Sequence, residues 1–187
     1  MVGSLHLNVS FRQWIKSVHR DGINGRLEVQ KYVPARQLKK YWSEESVRQI
    51  IESIIPNIPV QFETITGRYL KVFSTLVFID KPEHIRLFLK QGIGDNKLPL
   101  DSLPDTWNGV VDKFLVEQWQ FCPWDFIIQE SDMRELYTRQ ILPVRYIKLP
   151  MTGQHDLTEV RVVELYSEHC ELPTEVRLKI HMPSLLL

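Results

Sequence analysis

The sequence predicts an α+β chain in which helices come first and a small antiparallel sheet follows. Two observations carry this. Before about residue 140, apolar residues recur at helical spacing, as at Val47, Ile50, Ile51 and Ile54. After that point the period shortens to two. Val176, Leu178 and Ile180 alternate with Arg177, Lys179 and His181, the pattern of a strand with one wet face. Hydrophobic residues make up 43% of the 187 and charged residues 25%, enough apolar side chain for a packed core.

The elements follow in order. Residues 1–33 are poorly patterned. Gly22 and Gly25 mark a turn, and residues 29–33 read as a short extended piece. Pro34 opens a short helix through Arg36, Leu38 and Tyr41. Ser43 is a suitable N-cap for the next, with Glu44 and Glu45 in its first turn where negative charge suits the dipole, and Pro56 and Pro59 beyond its end. A helix from about Arg68 to Phe78 is expected after Gly67, burying Leu70, Phe73, Leu76 and Val77. Asp80 is expected to cap another, with Pro82 in its first turn, Ile85, Phe88 and Leu89 as its stripe and Gly92 as its stop.

Residues 93–106 are dense in Asp, Asn and Pro and read as loop. A helix from about Thr106 to Phe121 would turn Trp107, Val111, Phe114, Leu115 and Trp119 inward, with Pro123 closing it. Residues 131–139 suggest one more short helix. Strands are expected at 144–149, at 159–166 and from Val176. The chain thus divides into a poorly patterned segment (1–33), a helical domain (34–140) and a strand region (141–187).

Composition excludes several classes. Lys plus Arg and Asp plus Glu are 23 each, so no net charge draws the chain to nucleic acid or anionic lipid. No stretch approaches the roughly 18 apolar residues of a spanning helix, and residues 1–14 lack the apolar run of a signal peptide. Cys122 and Cys170 have no framework spacing and suit a reducing compartment, cytoplasm or nucleus. Cys122 reads as a small buried hydrophobe. Zinc spacing is absent around His155, His169, Cys170 and His181. Asp80, Glu83, Glu117 and Asp125 read as caps and helix surfaces rather than paired catalytic carboxylates. Trp107 and Trp119 belong to the core, while Trp42 and Trp124 suit either core or a partner surface.

Three short stretches invite a chemical reading. His19-Arg20-Asp21 matches the protein-kinase catalytic-loop triplet, but the residue five after Asp21 is Arg26, which cannot ligate magnesium, and Asp-Phe-Gly occurs nowhere. A polar turn leading to Gly22 explains it better. A kinase phosphate loop, G-x-G-x-x-G-x-V, laid on Gly153 places the later glycines at His155 and Thr158 and the valine at Val160. Glycine there lets backbone amides approach phosphates. A plain hairpin turn accounts for the same residues. Lys179 in Val-Arg-Leu-Lys matches the third-strand lysine that pairs nucleotide phosphates, with Arg177 in the place of a small residue. A solvated lysine on an edge strand is the alternative.

Read in order, several segments resemble the N-terminal region of large fungal protein-kinase-like proteins, in which a helical domain precedes the kinase domain. They are Arg36 to Trp42; the run with Phe88, Gly92, Ile93, Asp95, Leu98, Pro99 and Leu100; Gln118, Trp119, Phe121, Pro123 and Phe126; the step Arg139 to Val144; and residues 156–172. The resemblance covers about residues 36–181. It implies that the strands form the incomplete start of a kinase small lobe, and that Gly153, Val160 and Lys179 mark a nucleotide site. ATP and magnesium belong to the full-length family, and no cofactor is expected for the chain as written. Asp156, at the loop tip, would repel phosphates. The sequence reaches Leu187 without an αC helix, a catalytic loop or a magnesium-binding aspartate. The expectation is a non-catalytic, truncated kinase-like protein acting as a helical regulatory or interaction module, with an unidentified protein partner. A fragment of an active serine/threonine kinase and a freestanding interaction domain are the alternatives.

Overall fold

The computed structural model describes residues 2–26, 28–54, 62–123, 139–147, 158–165 and 175–181. It is α+β, with seven α-helices and five strands among the described residues. The chain folds as two units. One holds Met1–Arg20 and Lys31–Pro123; the other holds Asp21–Gln30 and Trp124–Leu187.

The helical unit begins with α1 (Val2–Val18). Phe11 and Ile15 are buried, and Trp14 and Val18 pack beside them. These four stand at i, i+3, i+4, i+7, one helical face, so part of the segment that reads as unpatterned is an amphipathic helix. The short α2 (Ala35–Tyr41) follows Pro34, whose fixed φ suits a helix start. Helix α3 (Glu44–Ile54) has the expected cap: Ser43 Oγ accepts the Ser46 amide at 3.1 Å. Val47, Ile50 and Ile51 form its buried face; the side chain of Ile54 and the residues Pro56 and Pro59 lie outside the described ones.

The helix expected from about Arg68 to Phe78 is α5 (Leu70–Phe78), with Leu70, Phe73, Leu76 and Val77 buried as expected; an unexpected helix, α4 (Phe62–Arg68), precedes it and contains Gly67. Tyr69, at φ −131° and ψ 20°, breaks the run. The new helix starts there because a side chain from far along the chain takes its first free amides. Seven of the nine α5 residues are buried, including Phe73, Leu76 and both hydroxyl residues, Ser74 and Thr75. A helix apolar on all sides belongs at the centre of a core, and α5 is that centre.

Asp80 does not cap the helix after it. At φ 65° it ends α5: its amide donates to Val77 O, and the Lys81 amide to Leu76 O. That pair of bonds is a Schellman motif, which needs a left-handed residue one past the helix, a conformation aspartate tolerates better than most. A 3₁₀ turn (Pro82–His84) then leads into α6 (Ile85–Gln91). Gly92, at φ 61°, closes α6 by the same motif, with Ile93 N bonded to Phe88 O.

The helix expected from Thr106 starts late. Gly109 takes φ 81°, so α7 runs only from Val111 to Glu117 and continues as a 3₁₀ turn through Phe121. Trp107, Phe114 and Trp119 are buried as expected; Val111 and Leu115 are partly so. Phe114 packs on Phe88 with ring centroids 4.7 Å apart, and Trp107 on Phe88 at 4.9 Å. Phe11, Trp42 and Phe73 continue the aromatic core. Trp42 is core rather than partner surface: it is buried, and its Nε1 donates to Ser74 Oγ at 2.9 Å. Trp124 and the helix expected over 131–139 fall outside the described residues, except Arg139, which lies in a turn.

In the second unit, β3 (Val144–Ile147), β4 (Thr158–Leu165) and β5 (Glu175–His181) pair in that order as an antiparallel sheet, with an irregularity between Val144 and Tyr146. Strands β1 (Arg20–Ile23) and β2 (Val29–Tyr32) form a separate two-stranded sheet. The His19-Arg20-Asp21 triplet therefore enters a strand rather than a turn.

Candidate functional site

Of the three nucleotide-site candidates, the backbone brings two together. Val160 and Lys179 are direct partners in the β4–β5 register, and residues directly opposite in an antiparallel pair occupy one face of the sheet. Arg177 faces Val162, two places along. Gly153, His155 and Asp156 lie outside the described residues, between β3 and β4. Thr158, at the place of the third loop glycine, is already in β4, opposite His181.

The polar residues of the helical unit have structural assignments. Asp95 sits in a 3₁₀ turn (Asp95–Lys97). Its carboxylate accepts the Lys71 amide on both oxygens at 3.0 Å and the Val72 amide at 3.0 Å. It is the N-terminal cap of α5, supplied from 24 residues downstream. At the other end of α5, Arg12 Nε and a terminal guanidinium nitrogen donate to Phe78 O at 2.8 and 2.6 Å, and the guanidinium lies 5.4 Å from the Phe78 ring centroid. An anion at the N-terminus and a cation at the C-terminus both complement the helix dipole. Burial pushes the Asp95 carboxyl above the ordinary aspartate range, outweighing the amide bonds and the Lys71 charge that pull it down.

Gln118 is fully buried. Its Oε1 accepts the Leu100 amide at 2.7 Å, and its Nε2 donates to Leu100 O at 2.6 Å and Leu115 O at 3.2 Å. The side-chain amide thus satisfies both backbone groups of one loop residue, as a neighbouring strand would. Two of the motifs singled out in the sequence, ending at Leu100 and starting at Gln118, are joined by this clamp. Between them the other motif residues are spent on packing and turns. Phe88 and Phe121 are buried, Gly92 takes positive φ, and Leu98-Pro99 is a cis peptide. Phe126 is outside the described residues. Gly94 has a reason of its own: a Cβ there would stand 2.8 Å from Arg68 O.

Glu117 accepts Gln120 Nε2 at 2.7 Å, and burial raises its carboxyl against the pull of Arg12. Glu83 stands 3.3 Å from His84 Nδ1. Asp125 is outside the described residues. His19 Nε2 lies 3.4 Å from Gln120 Oε1. Cys122 is buried. Among the described residues no group of three His, Cys, Asp or Glu could hold a metal ion, and no helix is long and apolar enough to cross a membrane. Sequence reasoning missed the two tertiary clamps, Asp95 and Gln118. The only local hint was their place in the two motifs.

Comparison with family models, with curated proteins and with solved structures finds no match to this chain.

Proposed function

We propose that the chain is a kinase-like protein that does not itself transfer phosphate: a helical regulatory or interaction module joined to strands that resemble the start of a kinase small lobe. The observation that carries this reading is the strand order. Three consecutive strands pair as an antiparallel meander, and Val160 and Lys179, the two candidates on described strands, fall opposite each other. That order fits the strand start the resemblance implies. Against catalysis stands the sequence: the only His-Arg-Asp leads into strand β1, and Arg26 occupies the magnesium-ligand place after it.

The test is a melting curve with and without millimolar MgATP. A ligand bound only by the folded state raises the midpoint. We expect no rise of several degrees, and no difference between the chain and Lys179→Ala. A rise of that size that Lys179→Ala abolishes would restore a working nucleotide site. A second reading, a freestanding protein-interaction domain, is favoured by the continuous core around α5 in the helical unit. It predicts that protein partners bind the helical unit and are unaffected by changes in β4 and β5.

A further inference from the structure

The path of the chain contains a device outside both of these roles. The backbone leaves the helical unit after Arg20, returns at Lys31, and passes to the strand-bearing unit for the last time after Pro123. The excursion over 20–32 is a built hairpin. Its turn is closed by Asn24, which is only 2% exposed. Asn24 Oδ1 accepts the amides of Arg26 and Glu28, both at 2.9 Å, and its Nδ2 donates to Glu28 Oε2 at 2.9 Å. An Asx side chain that makes three hydrogen bonds to Arg26 and Glu28 fixes the turn.

Immediately before this turn, Ile23 exchanges both backbone hydrogen bonds with Leu142. The Ile23 amide donates to Leu142 O at 3.0 Å, and the Leu142 amide to Ile23 O at 2.7 Å. Ile141 and Leu142 are 1% and 3% exposed, so these groups have no water to fall back on if the pairing is lost. Leu142 stands two residues before β3. Both feet of the hairpin are tied within the helical unit: the His19 amide donates to Ile15 O, and the Val33 amide to Gln120 O at 2.8 Å. The hairpin is therefore presented ready-made, and most of the entropy of closing so long a loop is already met.

We propose that residues 20–32 are a strap that holds the lead-in to the strand-bearing unit, so that the order of Leu142 and β3 depends on the N-terminal hairpin. Residues 124–187 are then an incomplete unit without it. Release of the strap frees β3 while α5 and its surroundings stay folded.

Hydrogen exchange on the full chain tests this. Ile23→Pro removes the amide that bonds Leu142 O. The Leu142 and β3 amides should exchange at least about tenfold faster, the loss expected for one buried hydrogen bond, with α5 amides unchanged. Unchanged protection at Leu142 and β3 in a folded variant would overturn the strap. A second variant covers the case in which proline unfolds everything. A hydrogen-bonded antiparallel pair has its Cα atoms about 5.5 Å apart, inside the range a disulfide spans. Ile23→Cys with Leu142→Cys should give a 23–142 crosslink on mild oxidation, identified by peptide mass, and slower exchange in β3. No crosslink, or a crosslink that leaves β3 exchange unaltered, would equally overturn it.

Discussion

The two units differ in how well their local and tertiary signals agree. In the helical unit the buried polar side chains Ser74, Thr75 and Gln118 each close on nearby backbone or on another side chain. Ser74 bonds Leu70 O and receives Trp42, Thr75 bonds Lys71 O, and Gln118 clamps Leu100. The apolar faces of α1, α3 and α6 all meet α5 or its neighbours. In the strand-bearing unit the register agrees with the pattern only in part: Val163 pairs with both Ile147 and Val176, and Val144 with Leu165. The apolar positions of β5 (Val176, Leu178, Ile180) fall opposite Val163, Arg161 and Glu159 of β4, and Glu164 faces Glu175. Like charges directly opposite are unfavourable, and three strands need one coherent apolar face to stand alone. Consistency across levels is what gives a sequence one deep minimum. The helical unit has it throughout; in the sheet Glu159, Arg161 and the Glu164–Glu175 pair interrupt it.

The sharpest way to break this comparison is to make equal cuts in both units. Phe114→Ala removes a fully buried ring packed on Phe88, and should cost about 3–5 kcal/mol in denaturant unfolding. Leu178→Ala should move the same transition by about 0.5 kcal/mol or less. Equal losses would mean that the strands carry as much of the stability as the helices. Next in size is Gln118→Leu. It leaves the amide and carbonyl of Leu100 without their partner, and about 3 kcal/mol is expected. Gly94→Ala pushes a methyl against Arg68 O, and should cost about 2 kcal/mol through backbone shift; a neutral result would show that the loop yields freely.

The smallest effect concerns pH. The folded Asp95 carboxyl is raised by burial, so the folded state holds its proton to higher pH than the unfolded chain does. Its contribution to stability is fully present below the ordinary aspartate value of about 3.9. It is lost as pH rises through the window up to the raised folded value, and is constant above it. Asp95→Asn keeps an acceptor for the α5 amides and should flatten this slope, with little cost near neutrality. Asp95→Ala removes the cap and should cost about 1–2 kcal/mol at any pH. If Asn and Ala behave alike at neutral pH, the carboxylate is not the cap.

These sizes follow what was legible in the sequence and what was not. The faces of α3 and α6, the Ser43 cap and the Gly92 stop are local signals, and the structure uses them as such. Helix α1 was legible too: Phe11, Trp14, Ile15 and Val18 have helical spacing, but the glycines after them point to a turn and mask it. The break at Tyr69 was not legible, because its cause is Asp95, which lies in a loop 24 residues beyond Lys71. Asp80 looked like the start of one helix and is the end of another, since an aspartate shortly before a proline fits either role and only its positive φ decides. The late start of α7 turns on Gly109 in the same way. Of the candidate site, the strands and their alternation were readable. That Val160 would meet Lys179 was not, because register is a property of the pair and not of either strand.

The most direct measurement is whether these 187 residues move phosphate. Purified chain incubated with radiolabelled MgATP and a general protein acceptor should transfer no more label than the same mixture without it. Transfer above that background, abolished by Lys179→Ala, would contradict the reading and make the sheet a working nucleotide lobe.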